Sequence, residues 1–185
     1  LNILQSVKKA LRIPISVKLS PFYTNPLAVI KRMDNTEVQS FVIFNRMFQP
    51  DIDIEKEEQA QSLYLSTSND SRQTLQFTGL LYGNIVADIC SCSGIMNGAD
   101  AIKMLLAGAT AFEVVSSIYQ NGVGQIPVIL KDIETWMEGK GYKSLEDFRG
   151  KLAKKNLKDP FAYRRAQYVE ILMRTNDIIT KSKLV

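Results

Sequence analysis

Short apolar runs alternate along this chain with stretches in which apolar positions return at helical spacing. Leu1, Leu4, Val7 and Leu11 share one face of an opening helix, with Lys8 and Lys9 off it. Ile13-Pro14 breaks that rhythm, and Ile15 to Leu19 reads as a strand carrying Lys18 in an otherwise apolar run. Ser20-Pro21 ends the strand, and Asn25-Pro26 opens a helix through Met33, with proline at its favoured first position. Gln39 to Phe44 is the next strand and runs into Asn45-Arg46. Residues 47–70 read as irregular and polar, with the acidic run DIDIEKEE and a short β-like piece, Leu63 to Thr67. Asp70 caps a helix from Ser71 to about Tyr82, which Gly83 ends.

The stretch Val86 to Ser117 organises the rest. Residues 86–92 form an apolar strand with Ser93-Gly94 at its C-terminal end. Asn97 is an N-cap, Asp100 lies in the first turn, and Ile102, Leu105 and Leu106 make the helix's apolar stripe. Gly108 supplies the C-cap, and Ala111 to Val115 is a further strand reaching Ser116-Ser117. The unit is a parallel βαβ with two small polar loops at one end of the sheet, where backbone N–H groups suit a phosphate. Beyond it, Val123 to Met137 reads as an amphipathic helix stopped by Gly139 and Gly141. Ser144 with Asp147 is a capping box for a short helix to Leu152. Asp159-Pro160 opens a last helix, with Phe161, Tyr168, Val169 and Leu172 for packing.

Strands therefore fall at about 15–20, 39–45, 86–92 and 111–116, each followed by a helix. Such a series demands a parallel sheet with right-handed crossovers. Four units are half of an eight-stranded barrel, which would remove the open edges of a four-stranded sheet. The expected fold is α/β: strands 5–8 and their helices of a TIM (β/α)8 barrel over 1–152, with a C-terminal helical extension over 153–185. A flavodoxin-like open sheet is the alternative. A chain that opens on a helix with no strand before it reads as a piece of a longer one.

Composition narrows the chemistry. The 185 residues are 45% hydrophobic and 23% charged, enough for one domain with a substantial core. The net charge of +4 is spread out rather than gathered on one face, which argues against a nucleic-acid partner. There is no histidine, so the usual general base and the commonest metal ligand are missing, and no metal site is expected. Cys90 and Cys92, two apart on a strand, point the same way and read as small filling residues. Nothing resembles a signal peptide, a membrane span or a disulfide framework, so the expected setting is a reducing cytoplasm.

Lys18 is the most informative residue. An ammonium inside a barrel strand asks for an anion or a polar cofactor, or else for a paired carboxylate or a route to the rim. Asn45, at the end of the neighbouring strand, both donates and accepts, which suits the edge of a heterocycle or a simple turn.

VKLSP (17–21), FNR (44–46), SGIMNGADAIKMLLAGA (93–109), VVSSIYQNG (114–122) and WMEGKGYKSLEDFRGKL (136–152) together resemble the C-terminal half of dihydroorotate dehydrogenase-like proteins, which are FMN-dependent (β/α)8 barrels. The likeness covers nearly the whole chain in motif order. It looks closest to the divergent branch in which FNR is followed by a QPDID segment, here Gln49 to Asp53.

The resemblance implies an FMN-dependent oxidoreductase that passes a hydride between a dihydropyrimidine-like substrate and the flavin. Lys18 would contact the pyrimidine end of the flavin, and Asn45 would face both flavin and substrate. Ser93, Gly94, Ser116 and Ser117 would hold the phosphate through backbone N–H groups and hydroxyls. The family's catalytic Cys or Ser base lies after strand 4, outside this chain, and Cys90 and Cys92 do not replace it. Two further departures stand out. Val115-Ser116 replaces a Gly-Thr or Gly-Ser pair, and Arg46 replaces a small polar residue, which puts orotate itself in doubt. The implied partners are a small-molecule substrate and either the missing N-terminal half or a second copy. A catalytically inactive half-barrel that completes its sheet by oligomerising is the competing expectation; a flavin-free barrel for phosphorylated sugars would leave Lys18 and Asn45 unexplained.

Overall fold

The computed structural model describes residues 1–47, 50–60 and 64–163. The elements in order are α1 (Asn2–Ala10), β1 (Ser16–Leu19), α2 (Pro26–Asp34), β2 (Ser40–Ile43), β3 (Asp51–Asp53), β4 (Glu58–Ala60), α3 (Ser71–Leu81), β5 (Asp88–Ser91), α4 (Gly98–Ala107), β6 (Ala111–Phe112), α5 (Ser116–Asn121) and α6 (Gln125–Lys140). Four strands form one parallel sheet in the order β1-β2-β5-β6. Each follows the last through a helix, as expected. β1 and β6 end the sheet, and no other described strand pairs with their outer edges.

The register sets the two faces. Lys18 lies beside Val42, Val42 beside Cys90, and Cys90 beside Ala111, so these four share the inner face. Phe41, Ile43 and Ile89 point outward and pack with Ile30 and Leu81 from α2 and α3. A second cluster joins Ile102 and Leu105 of α4 to Ile129 and Ile133 of α6 and to Phe148. Apolar burial on the helix side thus frees the inner face for polar groups.

Local chemistry sets the boundaries. Asn25 accepts from Ala28 N at the start of α2, and Asn97 accepts from Asp100 N at the start of α4, each at 3.0 Å. Gly108 closes α4 with φ +114, a conformation that glycine adopts without steric cost.

Several boundaries differ from expectation. The acidic run is not irregular: β3 and β4 pair there as an antiparallel hairpin. Asp53 Oδ1 accepts from the amides of Glu55 and Lys56, and Glu57 takes φ +52, which turns the chain back. Of the β-like piece 63–67, Leu63 lies outside the described residues and 64–67 joins no ladder. Val86 does not enter β5; it is 96% exposed, and the Asp34 carboxylate accepts from its amide and from that of Ala87. The last strand is cut short because the chain turns into α5 at Ser116. Gly139 does not stop α6, which runs on until Gly141 adopts a left-handed φ of +73. After the capping box of Ser144 and Asp147 only a single 3-10 turn, Leu145–Asp147, forms. A 3-10 turn at Phe161–Tyr163 follows Asp159-Pro160, and the rest of the expected last helix, with Tyr168, Val169 and Leu172, lies outside the described residues. No described helix is long and apolar enough to cross a membrane.

Candidate functional site

A cavity of about 560 Å³ opens at the C-terminal ends of the parallel strands. Its wall is built strand by strand: Lys18 from β1, Asn45 and Arg46 after β2, Cys92, Ser93 and Gly94 after β5, and Glu113 and Ser116 after β6. Five of the six residues singled out in the sequence therefore line one space, which is within the size range of small-molecule sites.

At one end, Lys18 Nζ lies 2.6 Å from Glu113 Oε2. A flat sheet would hold β1 and β6 about 14 Å apart, at three strand spacings. Side chains stand roughly perpendicular to a sheet, so this contact requires the sheet to curl toward its inner face. The lysine is thus met by a carboxylate, one of the alternatives its sequence position left open. Burial works to lower the Lys18 pKa, but the hydrogen bond and charge of Glu113 outweigh it and hold the ammonium above its ordinary value. Burial likewise works to raise Glu113, and its hydrogen bonds with Lys18 and Cys92 bring it below the usual carboxylate value. Burial and the nearby Glu113 charge push the Cys90 thiol up to about 11, and burial, then the interaction with the Glu113 side chain, raises Cys92. Both cysteines are free thiols facing the inner side. Among the described residues no cluster of metal-ligating side chains exists.

At the other end, the loop after β5 carries two consecutive left-handed residues, Ser93 at φ +81 and Gly94 at φ +71. A Cβ on Gly94 would stand 2.4 Å from Ser71 N and 2.8 Å from Thr67 O, so glycine is the residue that fits. Segment 64–71 lies against this loop as a strap. Ser66 N donates to Ser116 Oγ at 2.8 Å, and Ser68 Oγ donates to Asp100 Oδ2 at 2.5 Å. Arg46 reaches the strap from β2, donating through Nη1 to Tyr64 O and Ser66 Oγ, each at 3.1 Å.

The hydroxyls expected at a phosphate are not equivalent. Ser93 Oγ donates to Phe44 O at 2.9 Å, and Ser116 Oγ accepts from Ser66 N, leaving its own hydrogen for an occupant. Ser117 is fully buried, does not line the cavity, and its hydroxyl donates to Met96 O at 2.6 Å. Its expected hydroxyl contact is therefore corrected: the onset of α5 turns that side chain into the core. Val115 lines the cavity at φ −119, so its backbone does not require the glycine that the resemblance led one to look for.

Glu113, Arg46 and Ser66 were not read as site residues from the sequence. Glu113 had a usable signal, being a charge in an apolar run two residues past Ala111, on the same face as Cys90.

The sequence and the fold both have counterparts among known proteins. The family described as dihydroorotate dehydrogenase matches residues 1–137. The chain is 27% identical over 142 residues to the catalytic subunit of dihydroorotate dehydrogenase B (NAD(+)) of Methanocaldococcus jannaschii, covering 74% of this chain and 46% of that protein. The corresponding subunit of Endomicrobium trichonymphae is 28% identical over 156 residues, covering 83% of this chain and 51% of that one. The chain thus spans about half the length of these relatives. A crystal structure of ligand-free dihydroorotate dehydrogenase from Eimeria tenella superposes with a TM-score of 0.61 at 22% identity, over 75% of this chain and 40% of that one. The shared fold is the expected part of a (β/α)8 barrel, and the match over residues 1–137 shows that this chain belongs to the dihydroorotate dehydrogenase family.

Proposed function

We propose that the chain is the flavin-holding half of an FMN-dependent oxidoreductase of the dihydroorotate dehydrogenase type, acting on a dihydropyrimidine-like small molecule. One observation carries the reading: Lys18, Asn45, Ser93, Gly94 and Ser116, drawn from four strand ends, line a single cavity. A cationic, amide-bearing end and a small, glycine-containing end suit a flat heterocycle with a phosphate tail.

In this reading Lys18 donates to the pyrimidine edge of the flavin, and Asn45 orients both the ring and the substrate's planar ring. The Ser93-Gly94 backbone and the free Ser116 hydroxyl hydrogen hold the phosphate, with Ser117 contributing only through its backbone. Bound FMN supplies the hydride chemistry, and the protein supplies orientation and electrostatics. No residue of this chain is assigned as the catalytic base; the loop that bears it in the family lies in the other half. The two free thiols suit a reducing, cytoplasmic setting.

Titrating the chain with FMN tests the reading: quenching of flavin fluorescence and a shifted flavin absorption band are expected, and an unperturbed flavin spectrum overturns it. The second reading is a non-catalytic half-barrel that covers its sheet with a partner half or a second copy. The outer edges of β1 and β6, unpaired by any described strand, favour it. It predicts self-association on size exclusion without bound flavin.

A further inference from the structure

Glu113 is held at the cavity by register. Ser91 pairs with Phe112, so Cys92 and Glu113 come next along β5 and β6, and both line the cavity. Lys18 Nζ donates to the Glu113 carboxylate at 2.6 Å. Lysine carries three N–H donors on a flexible stem. One is committed to Glu113, which fixes the ammonium's direction and offsets its charge for anything seated beside it.

We infer that Glu113 is a positioning residue for Lys18: it aims the ammonium at the ring end of the cavity and sets the net charge that a bound ring meets there. The inference rests on the flavin reading above. With FMN bound, a substrate C–H bond would break with its electron pair and transfer as hydride, so the ring would gain two electrons and one proton. The substrate's neighbouring proton leaves to a base in the other half of the barrel. A negative charge then remains at the pyrimidine end of the ring. A lone ammonium would stabilise that charge strongly, whereas one already paired with a carboxylate stabilises it less. Glu113 therefore keeps the reduced flavin a ready electron donor.

Glu113→Gln separates charge from shape, because the amide still offers Lys18 an acceptor oxygen. In the FMN-loaded chain this substitution is expected to raise the two-electron midpoint potential. Reduced flavin gains about tenfold in affinity relative to oxidised flavin, which corresponds to about 30 mV. Bound flavin with an unmoved potential overturns the inference alone. Failure of the unsubstituted chain to perturb FMN overturns the flavin reading and the inference with it. A second readout uses the flavin-free chain: acetylation of Lys18, followed by peptide mass, speeds up several-fold in Glu113→Gln, and equal rates in the two proteins overturn the inference.

Discussion

Ser66 donates its backbone N–H to the hydroxyl of Ser116 at 2.8 Å, tying the end of the long insertion to the turn that begins α5. Because the bond uses the oxygen of Ser116 as acceptor, the hydroxyl hydrogen stays free for the cavity. The strap and the proposed phosphate end are thus built on the same atom.

Ser116→Ala removes both roles together. It is expected to weaken FMN binding by about five- to tenfold, at roughly 1 kcal/mol for a lost hydrogen bond. It should also speed proteolysis within 64–71. Ser117→Ala is the contrast. Its buried bond to Met96 O costs stability by about 1–2 kcal/mol and leaves FMN affinity within about twofold. Equal affinity losses in the two variants would remove the distinction.

Gly94→Ala places a Cβ against the backbone of Ser71 and Thr67 at a left-handed φ. Strain and overlap together should cost about 2–4 kcal/mol. Gly139→Ala lies inside α6 with open space around it and a helical φ, so it should stabilise by about 0.5–1 kcal/mol. Urea unfolding of both variants checks the pair. A neutral Gly94→Ala would show that the strap is not packed on the loop.

The folded Glu113 carboxyl titrates below its ordinary 4.5, so its stabilisation is present above 4.5 and fades as pH falls through the lower folded value. Lys18, held above 10.5, contributes below 10.5 and loses that contribution as pH rises through its folded value. The pair is intact between these limits. With side chains 41% and 35% exposed, it adds at most about 1 kcal/mol. Unfolding midpoints of wild type and Glu113→Gln should therefore converge in acid, as pH falls through the lowered folded value of Glu113. A gap that persists there would mean that the carboxylate's charge contributes nothing.

Cys90, raised to about 11, presents only about 0.1% thiolate at pH 8, so alkylation should be slow in the folded chain and rapid in urea. Fast modification of the folded protein, followed by peptide mass, would contradict the burial of the Cys90 thiol beside Glu113.

Much of this was readable from residue patterns alone. Lys18, Asn45 and Ser93-Gly94 betray themselves as polar or small residues within apolar strands or at their C-terminal ends, where a parallel sheet gathers its site. Glu113 was passed over because its partner lies 95 residues away, and periodicity is silent about what faces a side chain across a curved sheet. The β3–β4 hairpin was hidden because acidic residues have low strand propensity; the turn at Asp53 and Glu57 makes it, not the flanking pattern. Ser117 was misplaced for the opposite reason. Two adjacent serines look alike in a sequence, yet a helix onset sends one into the cavity and the other into the core.

The outer flank of β1, which no described strand covers, has a consequence for handling the isolated polypeptide. An extended run of amides with one row of donors and acceptors unspent is an adhesive seam, able to zip onto any peptide lying alongside it. Lys18 does not blunt that seam, because its charge is turned inward and already answered by Glu113. Self-association through Ser16–Leu19 is therefore expected in concentrated solution, and a soluble strand-mimicking peptide added in trans would act as a stopper for it.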